Sequence, residues 1–344
     1  MEPEIIVLGI MMTALALYAV LGGADFGAGV WEFTTCLEGN ESDRKLIADA
    51  IGPVWEANHV WLIFVLIIMF SAFPLAFAAI SRALWIPMLF ALMGIVFRGA
   101  GFVIRAYAIG ADWLRDLAGA AFALASTFTP FFLGVAVGAV SSGALPIEAD
   151  GTYSGNELAD WLTPLSLYSG ILGVGMCSYL AAVYLTREAS LRSDTDPRSD
   201  ELVRTWRSRA LAAGIWIGIL AWLGLVMCKL EAPTLWSGLI TRGWPLIATS
   251  MVAGIGSLAA LRQYQFRFAS LLAAVAVGTV IFGWALGSYP MLAPPHISIE
   301  ASRAPDVVLW AMSICILGGS VLLFPALWWL LRIFKSGPPE AQKA

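Results

Sequence analysis

The sequence has few charged residues. Only 13% of its 344 residues are Asp, Glu, Lys or Arg, against about 25% in soluble domains. Hydrophobic residues make up 59% of the chain, and the mean hydropathy is +0.80. Its apolar runs exceed the roughly 18 residues that a membrane-spanning helix needs. This composition excludes a water-soluble globular protein and predicts an integral membrane protein with no separate soluble domain.

Histidine and cysteine are also scarce. His59 and His296 are the two histidines of the chain, which is too few to ligate several haems or a metal cluster. The four cysteines are scattered, and three of them lie inside apolar runs, so neither a CxxC metal site nor a disulfide framework is indicated. We expect no metal site, and no nucleic-acid partner.

Nine apolar segments predict an all-α membrane fold within a single polytopic domain, residues 1–344. The segments are 5–31, 47–73, 82–106, 114–141, 161–186, 207–229, 244–262, 267–289 and 306–333. The first begins behind Glu2 and Glu4 and has neither the basic stretch nor the cleavage site of a signal peptide, so we expect it to be retained. We expect 1–141 and 161–289 to form two four-helix units, with 306–333 as a ninth, peripheral helix.

The basic residues predict the orientation of these segments. When the loops are assigned alternately to the two sides, one side carries Arg82, Lys229, Arg242 and Arg303, and the other carries fifteen Lys or Arg. Cytoplasmic loops are enriched in these residues. The N-terminus is therefore predicted to lie outside and the C-terminus in the cytoplasm.

Four ionisable residues fall well inside the predicted spans: Asp25, Glu56, His59 and Arg98. Counted from the predicted cytoplasmic helix ends, Asp25 lies ~9 Å, Glu56 ~13 Å and Arg98 ~12 Å deep. A charged residue near the middle of a span costs about 2.5–3.5 kcal/mol on insertion scales and usually finds a partner in the protein interior. Mutual pairing of the two acids with Arg98 is therefore expected.

Two interpretations of this group remain open. Arg98 either neutralises one acid and so fastens three helices together, or the acid left over carries protons from the cytoplasm. His59 lies one turn from Glu56 on the same helix and is predicted to be a hydrogen-bonded interior residue. Asn58 is predicted to satisfy a neighbouring helix end.

Glycines flank the acid of the first segment, in GGADFGAGVW at residues 22–31. Gly23 and Gly27 form a GxxxG pair, which lets neighbouring helices approach closely around Asp25. The third segment has a similar stripe in FRGAGFVIR, residues 97–105, where Gly101 lies between Arg98 and Arg105.

These two stretches, together with IGPVWEANHVWLI at residues 51–63, resemble subunit II of the cytochrome bd family of quinol oxidases. Nine spans, the chain length and GSYP at 287–290 are similar to that family as well. The most specific piece is the run from Pro53 through Trp55 and Glu56 to Asn58.

The resemblance implies a terminal quinol oxidase that reduces oxygen to water with electrons from quinol. It implies a partner, subunit I, that holds two haems b and one haem d, and it leaves open a third, single-helix subunit. Some members bind a quinone in subunit II, but no motif here carries that cofactor site over. The implied location is a bacterial or archaeal cytoplasmic membrane, with the chain crossing the lipid many times.

In this family the acid after the tryptophan of helix 2 belongs to a proposed cytoplasmic proton channel. Glu56 stands where aspartate is usual, and His59 where other members carry glutamine. Asp25 matches the acid of helix 1 and Arg98 the arginine of helix 3. The resemblance thus implies a proton pathway through Glu56 and Asp25, with Arg98, Asn58, His59 and Trp55 as charge partners or structural residues.

A secondary transporter is the main alternative, because helical repeats, glycine-rich helices and intramembrane acids suit a coupling-ion site. A purely structural subunit is the second. The placement of the acids towards the predicted cytoplasmic side, and all in one half of the chain, favours the oxidase.

Overall fold

The computed structural model describes residues 2–38, 41–51, 55–107, 112–192 and 199–335. Within these ranges the side chains of some residues near helix ends, including Trp55 and Glu56, lie outside the described part. The first span is a continuous helix made of α1 (Pro3–Leu17), a π-helical segment (Tyr18–Gly22) and α2 (Gly23–Glu38).

The remaining elements follow in chain order. The helices of the first half are α3 (Glu41–Ile51), α4 (Trp55–Ala72), α5 (Pro74–Ala83), α6 (Trp85–Tyr107) and α7 (Asp112–Ser142). Those of the second half are α8 (Pro164–Leu191), α9 (Ser199–Glu231), α10 (Pro233–Gly238), a π-helical segment (Leu239–Gly243), α11 (Trp244–Arg262) and α12 (Phe266–Ser288). The chain continues through the antiparallel strands β1 (Met291–Ala293) and β2 (Ile297–Ser298), then α13 (Ile299–Ser302) and α14 (Asp306–Lys335).

Eight helices of the described ranges are long and apolar enough to cross a membrane. The pair α4 and α5, which is bent by 120°, brings the number to nine if it is taken as one further span. The prediction of an all-α membrane protein with about nine spans is confirmed. Its orientation stays a prediction from the loop charges.

Proline ends a spanning helix at two corresponding places. Proline clashes with the preceding residue in the helical conformation and lacks an N–H donor. Phe73, at φ −133° and ψ 61°, accordingly ends α4, and Pro74 opens α5. Ala232, at φ −134° and ψ 66°, ends α9 in the same way, and Pro233 opens α10. Both breaks follow the second span of a proposed four-helix unit.

The second predicted segment, 47–73, covers parts of two described helices. Residues up to Ile51 belong to α3, whose sequence is mostly polar, and α4 is described from Trp55. The apolar residues Leu46 and Ile47 of α3 are buried. The junction at 52–54 lies outside the described residues, so the predicted start of helix 2 at residue 47 stays a prediction.

The proposed units pack closely against each other. Helices α2 and α7 of the first unit both pack against α8 of the second, and α6 lies along α7. Helix α14 contacts α1 at the edge of the bundle. The acid-bearing α2 therefore lies at the centre, in contact with both units.

Polar loops and short elements close the end of the bundle that is predicted to face outside. Ala304 N–H donates to the Ala72 carbonyl over 2.8 Å, and Ala76 N–H donates to Ser302 Oγ over 2.8 Å, so the end of α13 and the residues just after it hold the α4–α5 bend. In the loop before α8, Tyr153 donates to Asp160 Oδ2 over 2.9 Å. Burial and this carboxylate raise the pKa of Tyr153 to about 12, so its hydroxyl remains a donor.

Candidate functional site

Asp25 of α2 and Arg98 of α6 form a buried ion pair. Arg98 Nη2 lies 2.6 Å from Asp25 Oδ1, and their side chains are 1% and 6% exposed. Arg98 Nε also donates to Ser126 Oγ of α7 over 3.1 Å. A charge-assisted hydrogen bond of this length is among the strong ones in proteins, and the pair joins three helices.

Small residues allow the helices to approach closely enough for this contact. A Cβ at Gly29 would lie 2.1 Å from Ser126 Oγ, and one at Gly94 would lie 2.2 Å from Thr129 Oγ1. On the other side of α2, a Cβ at Gly27 would lie 1.9 Å from the Cys177 carbonyl oxygen of α8. The close packing predicted from the glycine stripes is therefore present on both sides of Asp25.

Aromatic rings enclose the guanidinium of Arg98. Its Cζ lies 4.9 Å from the ring centre of Phe26 and 4.9 Å from that of Phe122. Cation–π contacts of this kind strengthen when water is excluded. They hold the charge in place with little conformational freedom.

A second ion pair lies between the same two helices, nearer the predicted cytoplasmic side. Glu32 accepts from Arg105 Nη1, and their side chains are 2% and 17% exposed. Each partner follows the first pair by seven residues, which is two turns or ~10.5 Å along a helix. The two pairs therefore form a ladder along one face of α2, with its second rung close to the helix end.

Glu32 was not among the predicted site residues, because the first predicted helix ends at residue 31 and leaves this acid in a loop. A signal was available: Glu32 and Arg105 repeat Asp25 and Arg98 at a seven-residue spacing. Residues at that spacing share a helix face.

Asp43 of α3 is a further buried acid that was not predicted from the sequence. It accepts from Trp206 Nε1 over 3.0 Å and from Arg209 Nη1 over 2.8 Å. The guanidinium of Arg209 in turn lies 4.7 Å from the ring centre of Trp206. These contacts fasten α3 to α9, and they mark Asp43 as a structural acid.

His59 and Asn58 of α4 lie beside the first span. Asn58 is buried, and His59 is half-buried, with its ring 5.7 Å from that of Phe26 and 6.3 Å from that of Tyr18. The start of α4 therefore packs next to the residue that follows Asp25.

The side chains of Trp55 and Glu56 lie outside the described part of the structure. The backbone at position 56 belongs to α4, which is described from Trp55. The predicted depth of Glu56 depends on residues 52–54, which lie outside the described part of the chain, so it stays a prediction. Position 56 lies about 4.5 Å nearer the N-terminal end of α4 than His59.

The buried Oδ2 of Asp25 and the buried hydroxyl of Tyr18 make no hydrogen bond with any described residue. A carboxylate with one oxygen on an arginine and the other uncommitted retains the capacity to accept a proton. Tyr18 opens the π-helical segment, and such segments occur frequently at functional sites.

Comparison with known proteins decides the family. Residues 3–334 match the family described as cytochrome bd terminal oxidase subunit II. The chain belongs to this family. The resemblance inferred from the three sequence motifs is confirmed.

Other members of the cytochrome bd subunit II family differ in how much of this chain they match. Cytochrome bd-I ubiquinol oxidase subunit 2 of Escherichia coli K12 is 31% identical over 208 residues, or 58% of this chain. The match spans about half of that relative's length, 53%. The putative cytochrome bd menaquinol oxidase subunit II of Bacillus subtilis is 24% identical over 343 residues, covering 96% of this chain and 95% of the relative.

A solved structure shows the same fold. The bd oxidase from Geobacillus thermodenitrificans contains a chain that superposes with a TM-score of 0.76 at 21% identity. The match covers 98% of this chain and 100% of the other. All of these relatives are bacterial, so nothing supports the archaeal alternative for the source of this chain.

Proposed function

We propose that this chain is the subunit of a terminal quinol oxidase that does not ligate haem. The complex reduces oxygen to water with electrons from quinol, and this subunit supplies protons from the cytoplasm and stabilises subunit I. Relatives are named for both ubiquinol and menaquinol, so the proposed electron donor is a quinol as a class. The proposed location is the bacterial inner membrane.

The residues of this chain do not fit the haems that such an oxidase needs. His59 packs against the rings of Phe26 and Tyr18, and His296 is exposed next to the β hairpin. The segment that follows the hairpin contacts the C-terminal end of α4 at Ala72, about 13 residues or ~20 Å along the helix from His59. The two histidines are therefore too far apart to serve as paired axial ligands of one haem. We therefore assign two haems b and one haem d to subunit I.

The observation that carries the proton proposal is the ladder on α2. Two carboxylates lie buried on one helix face, two turns apart, and each is held by an arginine of α6. Arg105 is partly exposed near the end of α6 that is predicted to face the cytoplasm. Glu32 would take protons there, and Glu56 and Asp25 would pass them inward, towards subunit I.

A purely structural role for the ladder is the second candidate. The contacts that surround the guanidinium of Arg98 favour it. This guanidinium binds a carboxylate and a hydroxyl and lies between two rings. In that case the acids would fasten helices and carry no protons. Membership of the oxidase family disfavours the transporter.

Replacing Glu56 by glutamine tests the proton role. We expect quinol-dependent oxygen uptake by the purified complex to fall about fivefold to tenfold, because glutamine cannot carry a proton and a missing proton-transfer group typically costs at least this much. The haem spectrum and the assembled yield should stay unchanged. Glu201→Gln is the control, since Glu201 is exposed near the same end of the bundle. Loss of assembly with normal turnover per complex would instead favour a structural role.

Glu32→Gln tests the outer rung of the ladder. We expect turnover to fall severalfold, with the deficit growing as pH rises, because proton uptake then becomes limiting. Arg105→Gln is the comparison, since it breaks the ion pair but keeps the acid. Equal losses in both variants would show that the ion pair matters and that protonation of Glu32 does not.

A further inference from the structure

A basic groove lies on the side of the bundle that is predicted to face the cytoplasm. It has a volume of about 340 Å³ and lies between the end of α8 and the turn that joins α11 to α12. Two arginines line it, Arg187 of α8 and Arg267 of α12, together with Tyr264 and Gln265 of the turn.

Both arginines are able to bind an anion. Neither forms an ion pair with a described residue, and the Nε of Arg187 is buried without a hydrogen-bond partner there. The nearest acid on α8, Glu188, lies 3.8 Å from the guanidinium of Arg192. The groove therefore presents positive charge that the described part of the protein does not neutralise.

The start of α12 adds to this charge. Its first internal hydrogen bond runs from Ala269 N–H to the Gln265 carbonyl, so the N–H groups of Phe266, Arg267 and Phe268 have no acceptor within the helix. A helix of 23 residues begins here, and helix N-termini favour anions, phosphate among them.

The turn at the base of the groove is held in an unfavourable conformation. Tyr264 has φ 60° and is the one non-glycine residue of the described ranges with a positive φ. Arg207 keeps it there: the guanidinium lies 4.2 Å from the ring centre, Nη1 donates to the hydroxyl over 3.1 Å, and Nε donates to the Leu261 carbonyl over 2.8 Å. Strained residues that neighbours hold in place cluster at ligand-binding sites.

The sides of the groove are apolar where it meets the membrane. Leu191 at the end of α8 is 57% exposed, and Phe268 in the first turn of α12 is 62% exposed. We propose that the groove binds the phosphate of an anionic phospholipid, whose acyl chains lie along α8 and α12. Basic pockets between spanning helices on the cytoplasmic side bind such headgroups.

Native mass spectrometry of the delipidated oxidase complex tests this site, with phosphatidylglycerol and phosphatidylcholine titrated separately. We expect wild-type complex to prefer phosphatidylglycerol. Arg267→Gln should weaken that binding about fivefold, the size expected for one basic side chain at an anionic surface, and Arg187→Gln/Arg267→Gln should weaken it by more. Arg204→Gln is the matched control, because Arg204 is exposed on α9 and does not line the groove.

Two different results would contradict the proposed lipid site. Equal phosphatidylglycerol binding by wild type and Arg267→Gln would overturn the site. Arg267 is exposed, so we expect the variant to fold as the wild type does. Adding inorganic phosphate in the same titration distinguishes a lipid phosphate from a soluble phosphate as the bound anion. If it binds as tightly as phosphatidylglycerol and displaces it, the site is a soluble-phosphate site and the lipid assignment fails.

Discussion

Asp25→Asn is expected to destabilise the complex by about 3–5 kcal/mol, the cost of removing one partner from a buried ion pair. The variant leaves the guanidinium of Arg98, whose side chain is 1% exposed, without a counter-charge. Arginine cannot lose its proton in a protein, so the charge cannot be removed by titration. Thermal unfolding of the purified complex should show the loss.

Arg98→Gln should cost less than Asp25→Asn. It leaves a buried carboxyl, which can become neutral by taking up a proton, whereas the arginine of the reverse variant cannot. A difference in this direction would show that the stability of the pair is dominated by desolvation of the arginine. Equal losses would contradict that account.

The double variant Asp25→Asn/Arg98→Gln separates the two proposed roles of the pair. It contains no buried charge at either position, so most of the lost stability should return. If Asp25 carries protons, oxygen uptake should remain low even though the complex is stable again. If uptake recovers along with stability, Asp25 and Arg98 are a structural fastening and the proton path must run elsewhere.

The sequence was sufficient to predict the membrane helices and one ion pair. Long apolar runs identified the spans because the bilayer imposes a minimum length on them. Asp25 and Arg98 were predicted to pair because an ionisable residue in the middle of a span needs a partner, and the structure brings them into contact.

The helix boundaries could not be predicted as well, and the missed acids lie at those boundaries. Glu32 and Asp43 were assigned to the loop after helix 1, where an acid is ordinary. In the structure α2 runs on to Glu38, and α3 folds back against α9, so that both acids are buried by tertiary contacts. The α4–α5 bend had a local signal in Pro74, but its 120° angle depends on contacts with the end of α13 and the residues just after it.

Gly27→Ala is expected to reduce the yield of folded complex to below a tenth of wild type. A Cβ at this position would lie 1.9 Å from the Cys177 carbonyl oxygen and 2.3 Å from its carbonyl carbon. Both are backbone atoms of α8, so no side chain can rotate away. Overpacking typically costs about 1–3 kcal/mol, occasionally more, and a backbone clash at the centre of the bundle belongs at the upper end.

Gly278→Ala is the matched control, because a Cβ there would meet nothing within 4 Å. Both glycines lie inside helices, where alanine is preferred by about 1 kcal/mol, so intrinsic helix propensity predicts the same small gain for both variants. Only the packing of α2 against α8 predicts a loss of folded complex for Gly27→Ala and none for Gly278→Ala. Normal yield and melting temperature in Gly27→Ala would show that the two helices are not in backbone contact. A defect in Gly27→Ala alone would show that α8 fixes the stretch of α2 that carries Asp25, and hence that the second half of the chain positions the acid of the first.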